Sequence, residues 1–487
     1  MTSRGRREAA RAKAATRRAH LTPVPLLARE SLYVGIDVGK QAHVAGFIST
    51  TLLERHTHFE GCPALAFANG REGFTALLDR IRAYVPLQQA FVLLEKTGHY
   101  HLALLGFLQE QGLSVHVMHV QRRSAGLLKS DKRDALALGN HLYNQLEKGV
   151  QLAERSQLVR QALPPTPAAI KLKALVGHRF ELMHDSTRRR NKLTAIADQL
   201  FPELTTVLRD PNAPSALALR LRFPTPRDIA RASQADLLGV RLGGQPRVEK
   251  LARLRELAAS SIGVTGLAYQ RALIFEQETL IAELELIRRH LVRIEEEVAH
   301  VLVSSREGRI LRSIPGVGPL TAAAALAAIG NIGNFPTAGA LKAYFGWAPN
   351  VTQSGTTLDH ASITRKGNRV TKQILYMAAV AAVHEEGSPW QALFERLVPL
   401  KCVRDGRTGQ WRGKRVVLGR VAGQMTRMMY AFLKADAELV ARTPVGQPLP
   451  EPLLYDPAVH RAHRTGSYRP LKPQVRPPTI IRLPQSG

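Results

Sequence analysis

Cysteine is nearly absent from this chain: Cys62 and Cys402 are the only two in 487 residues. Two thiols make neither a disulfide framework nor a thiolate zinc cluster, so a reducing cytoplasm is the expected compartment. Long apolar runs are missing too. The longest candidate, Leu320 to Ile329, is Ala-rich and far short of the roughly 18 residues that a membrane crossing needs, so no membrane role is expected. The N-terminus carries Arg4, Arg6, Arg7, Arg11, Lys13, Arg17 and Arg18 without the apolar core or cleavage site of a secretory signal. Acidic residues are scarce beside basic ones, 39 Asp and Glu against 68 Lys and Arg, giving a formal charge of +29 and a pI near 10.8. A field of that sign draws polyanions in a salt-dependent way, which favours DNA or RNA as partner.

Against this basic background four carboxylates stand out. Asp37 ends the apolar run Leu32-Tyr33-Val34-Gly35-Ile36, which reads as a buried strand, and Gly39 then lets the chain turn. Glu95 ends a second run, Phe91-Val92-Leu93-Leu94, ahead of Lys96-Thr97-Gly98. Asp131 and Asp134 stand three apart at the start of a helical segment, a spacing that puts both on one face. Two strands and a helix that converge their acids recreate the arrangement that holds divalent ions against a phosphodiester. Oxygen-only ligands suit Mg2+, with Mn2+ as the alternative. Each acid also has a plainer reading: Asp37 as a turn residue, Asp131 as the N-cap of its helix. The seventeen histidines form no cluster with zinc spacing and are read as mostly structural, His99 and His101 being the pair nearest Glu95.

Composition divides the chain into a basic arm (1–30), an α/β domain (31–155), a helical segment (156–305), a further domain (306–440) and a Pro-rich basic tail (441–487). In the α/β domain strands are expected at 32–37, 42–48, 91–95 and 113–118, with helices at 73–83, 99–111 and 131–147. A helix is expected from about 168 to 200. Leu280, Leu284, Ile287, Leu291, Ile294, Val298 and Val301 then step by four and three, the period of a coiled-coil seam. Antiparallel pairing with 168–200 of the same chain buries such a seam as well as dimerisation does. The run Arg188-Arg189-Arg190 with Lys192 is either a solvated face or a contact to a nucleic-acid backbone.

From residue 306 onward Arg309-Ile310-Leu311-Arg312 reads as a helix end, Pro315-Gly316-Val317-Gly318 as a tight break, and Thr321 onward as a new helix. This is similar to a helix-hairpin-helix, in which Gly316 and Gly318 let backbone amides approach a phosphate; a plain inter-helix turn is the alternative. Ser354 lies in the polar stretch Thr352-Gln353-Ser354-Gly355-Thr356-Thr357, ahead of Arg365, Lys366, Arg369 and Lys372. Serine is a weak nucleophile that needs a base or an electropositive setting, and it is also a routine turn residue.

These elements resemble a known family. Tyr33 to Lys40, Glu95 to Gly98 and Lys129 to Ala135 look like the RuvC-like half of the DEDD insertion-sequence transposases, also described as bridge-RNA-guided recombinases. Ile314 to Pro319, Tyr344 to Pro349, Gln353-Ser354-Gly355, Lys366-Gly367-Asn368 and Leu375 to Ala379 are similar to their second signature, in the same order. The resemblance implies an α/β RuvC/RNase H-like domain, then a helical coiled-coil arm and a mostly α-helical transposase domain. It implies that Asp37, Glu95, Asp131 and Asp134 bind magnesium and that Ser354 attacks DNA to form a phosphoserine link. It further implies donor and target DNA, a guide (bridge) RNA, a dimer or tetramer, and a bacterial, nucleoid-associated location. The basic cluster after Ser354 makes Arg365, Lys366 and Arg369 expected nucleic-acid contacts. Two other readings stay open: a junction-resolving or hydrolytic nuclease using the same acids with water, and a non-catalytic nucleic-acid-binding protein. Tyr344 and Tyr376 are lesser candidates for the nucleophile, both in apolar segments.

Overall fold

β1 (Leu32–Asp37) is buried from Leu32 through Ile36, the pattern of a central strand covered on both faces. It belongs to a computed structural model that describes residues 29–96, 99–119, 130–149, 160–240, 248–354, 358–364 and 367–458. The remaining strands of its sheet are β2 (Ala42–Ile48), β3 (Ala64–Ala68), β4 (Ala90–Lys96), β5 (Ser114–His119) and the short β6 (Arg160–Gln161). Their spatial order is β3-β2-β1-β4-β5-β6. β1, β2 and β3 form an antiparallel meander, β1, β4 and β5 run parallel, and β6 closes the edge antiparallel to β5. Helices α1 (Thr50–His56), α2 (Arg71–Arg82), α3 (His101–Glu110) and α4 (Asp131–Leu146) complete the layers. Phe47, Phe67, Tyr84, Leu93 and Leu94 lie in one continuous core beneath them.

All four strands expected from sequence are present, and β3, β6 and α1 are additions. The chain divides into two compact units, residues up to Thr166 with Gly333–Pro336, and the rest. The composition break near 306 falls inside the second unit, because the helices on either side of it pack together.

That second unit is mostly helical. Its first part holds α5 (Pro167–Leu200), α6 (Leu204–Val207), α7 (Pro214–Arg222), α8 (Pro226–Arg231), α9 (Gln234–Leu238), α10 (Val248–Ala259) and α11 (Leu267–Ser304). The seam residues Ile287, Ile294, Val298 and Val301 of α11 are buried. Their partner is α5 of the same chain, whose buried stripe includes Leu172, Val176, Leu182, Leu193 and Ile196. Ion pairs give the direction: Lys171 with Glu297 (2.8 Å), Arg179 with Glu295 (3.0 Å) and Arg189 with Glu283 (2.5 Å), followed by Lys192 with Glu276. As one number rises the other falls, so the helices are antiparallel, the intrachain alternative of the two that the heptad pattern allowed. The same pairs absorb most of the basic run on α5, since Arg190 donates to the carbonyl of Asn212 as well (3.2 Å).

After α11 come α12 (Arg306–Ser313), α13 (Pro319–Ile329), α14 (Ala338–Tyr344), the hairpin of β7 (Pro349–Ser354) and β8 (Leu358–Ile363), α15 (Arg369–Ala382) and α16 (Pro389–Lys401). A small hairpin, β9 (Val403–Arg404) and β10 (Trp411–Arg412), leads into the long α17 (Lys414–Arg442). Arg306 on α12 grips Asp436 on α17 through two 2.7 Å contacts, and Asp436 is buried. No helix among the described residues is long and apolar enough to cross a membrane.

Candidate active site

The parallel ladder of β1 and β4 pairs Leu32 with Ala90 and continues in step to Ile36 with Leu94. One further step sets Asp37 beside Glu95, and residues in register on parallel strands project to the same face. Asp37 still belongs to the sheet on its other side, paired with Val44 of β2. It is therefore a strand residue rather than a turn residue. The turn itself begins at Gly39, whose N–H donates to Nδ1 of the buried His43 (3.2 Å).

Tyr33, Gly35 and Asp37 alternate with the pleat and share one face. Tyr33 stacks on Phe91 (5.6 Å), meets the edge of Tyr143 (5.4 Å) and donates its hydroxyl proton to Glu147. Tyr143 and Glu147 stand at the C-terminal end of α4. Gly35 faces the middle of the same helix: a Cβ there would stand 2.7 Å from the carbonyl carbon of Leu138 and closer still to Gly139 and Ala135. α4 thus runs antiparallel to β1, and its first turn, with Asp131 and Asp134, reaches the end of the strand where Asp37 sits. The topology brings the four carboxylates to one end of the sheet. Asp37, Glu95 and Asp134 are half-buried and Asp131 is exposed.

The cap of α4 is Ser130, whose hydroxyl accepts from the Arg133 N–H (3.3 Å). Asp131 is therefore not the N-cap, and its carboxylate projects from the helix proper. Arg133, between the two acids, turns to Glu60 (2.6 Å) and anchors the first turn. Among the described residues no group of three His, Cys, Asp or Glu side chains stands close enough to hold a metal ion. The donor set is nonetheless of one chemical kind, four carboxylates with neither thiolate nor imidazole, which suits a hard divalent cation. His101 opens α3 and is buried. Burial pulls the imidazoles of His43 and His116 below their ordinary range, the behaviour of core histidines rather than of charged ligands.

The other candidates belong to the second unit. Ser354 closes β7 opposite Leu358 on β8. Arg365 and Lys366 lie outside the described residues, as do 355–357. Arg369 is the exposed first residue of α15, whose cap is Asn368. Lys372 donates to the carbonyl of Thr364 (2.7 Å) and lies 5.6 Å over the Trp347 ring. Tyr376 stacks on that same ring (6.5 Å), a packing role. Gly316 has φ +71 and a Cβ on it would stand 2.5 Å from that of Ala382, so turn conformation and close packing account for this glycine. Gly318 caps α13 and its Cβ direction is open.

What sequence reading missed are the residues that position the acids: Gly35 and Gly139, where strand and helix touch, Gly46 against Leu136, Ser130 and His43. Small residues at strand centre and mid-helix were the available signal.

Residues 34–202 match the family model of the IS110 DEDD transposases, described as "Transposase", and residues 308–395 match that of the "Transposase IS116/IS110/IS902 family". The chain is 22% identical over 430 residues to the "Insertion element IS110 uncharacterized 43.6 kDa protein" of Streptomyces coelicolor, covering 85% of this chain and 97% of that one. It is 22% identical over 378 residues to the "Insertion element IS116 uncharacterized 44.8 kDa protein" of Streptomyces clavuligerus, 74% of this chain and 86% of the other. Over 109 residues it is 32% identical to the "Transposase for insertion sequence element IS1111A" of Coxiella burnetii, 21% of this chain and 30% of that one. With both family segments present in order, and with the first falling on the sheet that gathers the acids, the chain belongs to the IS110-family DEDD transposases.

Proposed function

We propose that this transposase cuts and rejoins DNA with Asp37, Glu95, Asp131 and Asp134 holding Mg2+ (or Mn2+) and Ser354 acting as nucleophile. The observation that carries the reading is the register that sets Asp37 beside Glu95 under the first turn of α4. Asp37, Glu95, Asp131 and Asp134 would hold the divalent cation, which would supply Lewis-acid polarisation of the scissile phosphate. The four carboxylates bind and orient, and the half-buried setting of Asp37, Glu95 and Asp134 limits competition from water. The hydroxyl of Ser354 forms an ester with the phosphorus as the bond to the 3′ oxygen breaks, and that oxygen leaves as a hydroxyl. Reversal by a different 3′ hydroxyl restores the diester and frees the serine, so the energy of the broken bond is retained in the ester.

Arg369 and Lys372 of α15, with Arg365 and Lys366 a few residues earlier in sequence, supply the cations that draw the phosphate and favour the attacking oxygen. Gly318 is the N-cap of α13, a helix start whose dipole favours a phosphate. Donor and target DNA are the substrates. A guide RNA carries the choice of sequence by base pairing while the protein holds shape and backbone, and a dimer or tetramer brings two DNAs together.

The test is strand cleavage of a DNA bearing element ends, with the guide RNA and Mg2+ present. Asp37→Asn and Glu95→Gln are each expected to lower cleavage at least a hundredfold while leaving the melting temperature within a few degrees. Survival of metal-dependent cleavage in both variants overturns the assignment of the acids.

A further inference from the structure

Among the described residues, the last part of the second unit carries several cations, Arg420 and Arg427 among them, with no carboxylate in an ion pair. Asp405 is the single acid between Lys401 and Arg427. It is occupied within the β9–β10 hairpin, accepting from the N–H groups of Arg407 and Thr408 (both 2.9 Å) and pairing with Arg412. The hairpin is thereby a stiffened ribbon, with Arg404 and Arg407 exposed and the Arg404 guanidinium 6.0 Å over the Trp411 ring. It feeds through Gly413, in the left-handed region at φ +91, into α17. The first turn of α17 holds Lys414 and Arg415 and no acid, the reverse of what a helix N-terminus favours.

Further along α17, Arg420 and Arg427 are exposed and seven residues apart, just under two turns, so they lie in one row. Lys342 of α14 reaches into that row: a Cβ at Gly423 would stand 2.7 Å from its Cε. Among the described residues, the charges that act on Lys342 are those of Arg427 and Arg420, both positive. Burial first, then Arg427 and Arg420, push its ammonium below the ordinary lysine range. Among the described residues no carboxylate forms an ion pair with Lys342, Arg420 or Arg427. Three cations held together in this way repel one another, and an anion laid across them relieves that cost.

We propose that the row of Arg420, Lys342 and Arg427 takes the phosphate backbone of duplex DNA, with the β9–β10 hairpin lying in the groove beyond the end of the row. From Gly413 to Arg427 the helix rises about 21 Å, which spans roughly six phosphates of one strand at 3.4 Å each. A two-stranded ribbon fits the major groove of B-form DNA, whereas the deep, narrow major groove of A-form RNA does not admit one. β9, β10 and α17 lie outside both matched family segments, 34–202 and 308–395. Lys342 lies within the second segment, and the face as a whole is distinct in its residues from the acids and the serine. It rests on the reading of the chain as a protein that acts on DNA.

The test uses the full chain in an Asp37→Asn background with EDTA, so that binding is read without cleavage and stays informative even if the acids prove not to cut. Affinity for a 30-base-pair DNA duplex and for an RNA duplex of the same sequence is followed against salt. The variant Arg404→Gln, Arg407→Gln, Arg420→Gln, Arg427→Gln is expected to bind DNA at least tenfold more weakly. The slope of log affinity against log salt should flatten by about 3.6 units, near 0.9 for each of the four charges removed. The control Arg82→Gln, Arg222→Gln, Arg253→Gln, Arg288→Gln removes the same charge at residues that each face a carboxylate and should move the slope by less than one unit. If the fourfold variant melts early, Arg420→Gln with Arg427→Gln alone should still flatten the slope by more than one unit. An unchanged slope, an equal flattening in the control, or a larger effect on the RNA duplex overturns the proposal.

Discussion

Gly35 of β1 and Gly139 of α4 meet with no room between them: a Cβ on Gly35 would press into the helix backbone, 2.7 Å from the carbonyl carbon of Leu138. This close approach sets how near the helix lies to the sheet, and hence how near Asp131 and Asp134 come to Asp37. Gly35→Ala is expected to force the helix outward, lowering stability by about 1–3 kcal/mol and cutting metal-dependent cleavage at least tenfold. Gly106→Ala in α3, where nothing lies within 4 Å, is the control and should stabilise the unit by up to about 1 kcal/mol. Thermal melting and a cleavage assay on the same preparations separate the two effects.

The antiparallel pair of α5 and α11 owes its stability to the apolar seam and its register to the ion pairs. Ile294, 7% exposed, should lose about 3 kcal/mol on replacement by Ala. Lys171→Ala, at a half-exposed pair with Glu297, should lose less than about 1 kcal/mol. Arg189→Glu and Glu283→Arg are each expected to destabilise, and the double exchange to recover most of the stability. A double variant no better than the sum of the singles would contradict the antiparallel register.

Arg220 of α7 is buried without an ion-pair partner among the described residues. Its guanidinium donates to Gln277 (2.8 Å), to the carbonyls of Leu193 (2.8 Å) and Pro211 (3.1 Å), and to Asn212 (3.3 Å), while burial brings it down to about 10. It ties α7 to α5 and α11. Arg220→Met leaves those acceptors unanswered and should cost about 3 kcal/mol in chemical denaturation. Arg220→Lys should restore less than half, because an ammonium lacks the planar fork.

His43 and His116 link the first unit to pH. Burial depresses both imidazoles below 6.5, so between that value and the lower folded one the unfolded chain binds more protons. Stability is therefore complete above pH 6.5 and falls as the pH drops through this window. Protonating His43 also removes the acceptor for the Gly39 N–H that shapes the turn after Asp37. A melting temperature flat from pH 7 to 8 and falling toward pH 5 is expected, with a shallower fall in His116→Gln.

Much of the first unit was legible because its strands are apolar runs and its helices are periodic. β3 was not, since Ala64-Leu65-Ala66-Phe67-Ala68 is mostly alanine, a residue poor in strands, and is held by its pairing with β2 and by Leu65 and Phe67 in the core. That Asp37 ends a strand was visible; that Glu95 stands beside it depends on register between segments far apart in sequence, which no local pattern encodes. Reading Asp131 as a possible cap overlooked Ser130 one position earlier. The seam of α11 was clear in period but silent about its partner, which the charge pattern on α5 settles. Lys342 could not be joined to Arg420 and Arg427 from sequence, because the row is assembled from two helices.

The most direct measurement is to trap the wild-type chain on a DNA carrying element ends with guide RNA and Mg2+, digest the protein, and locate the DNA-linked peptide by mass spectrometry. The link is expected on Ser354, absent in Ser354→Ala together with all strand cleavage, and absent in Asp37→Asn. Cleavage that persists in Ser354→Ala without any covalent protein–DNA species would show water to be the nucleophile and contradict the serine mechanism.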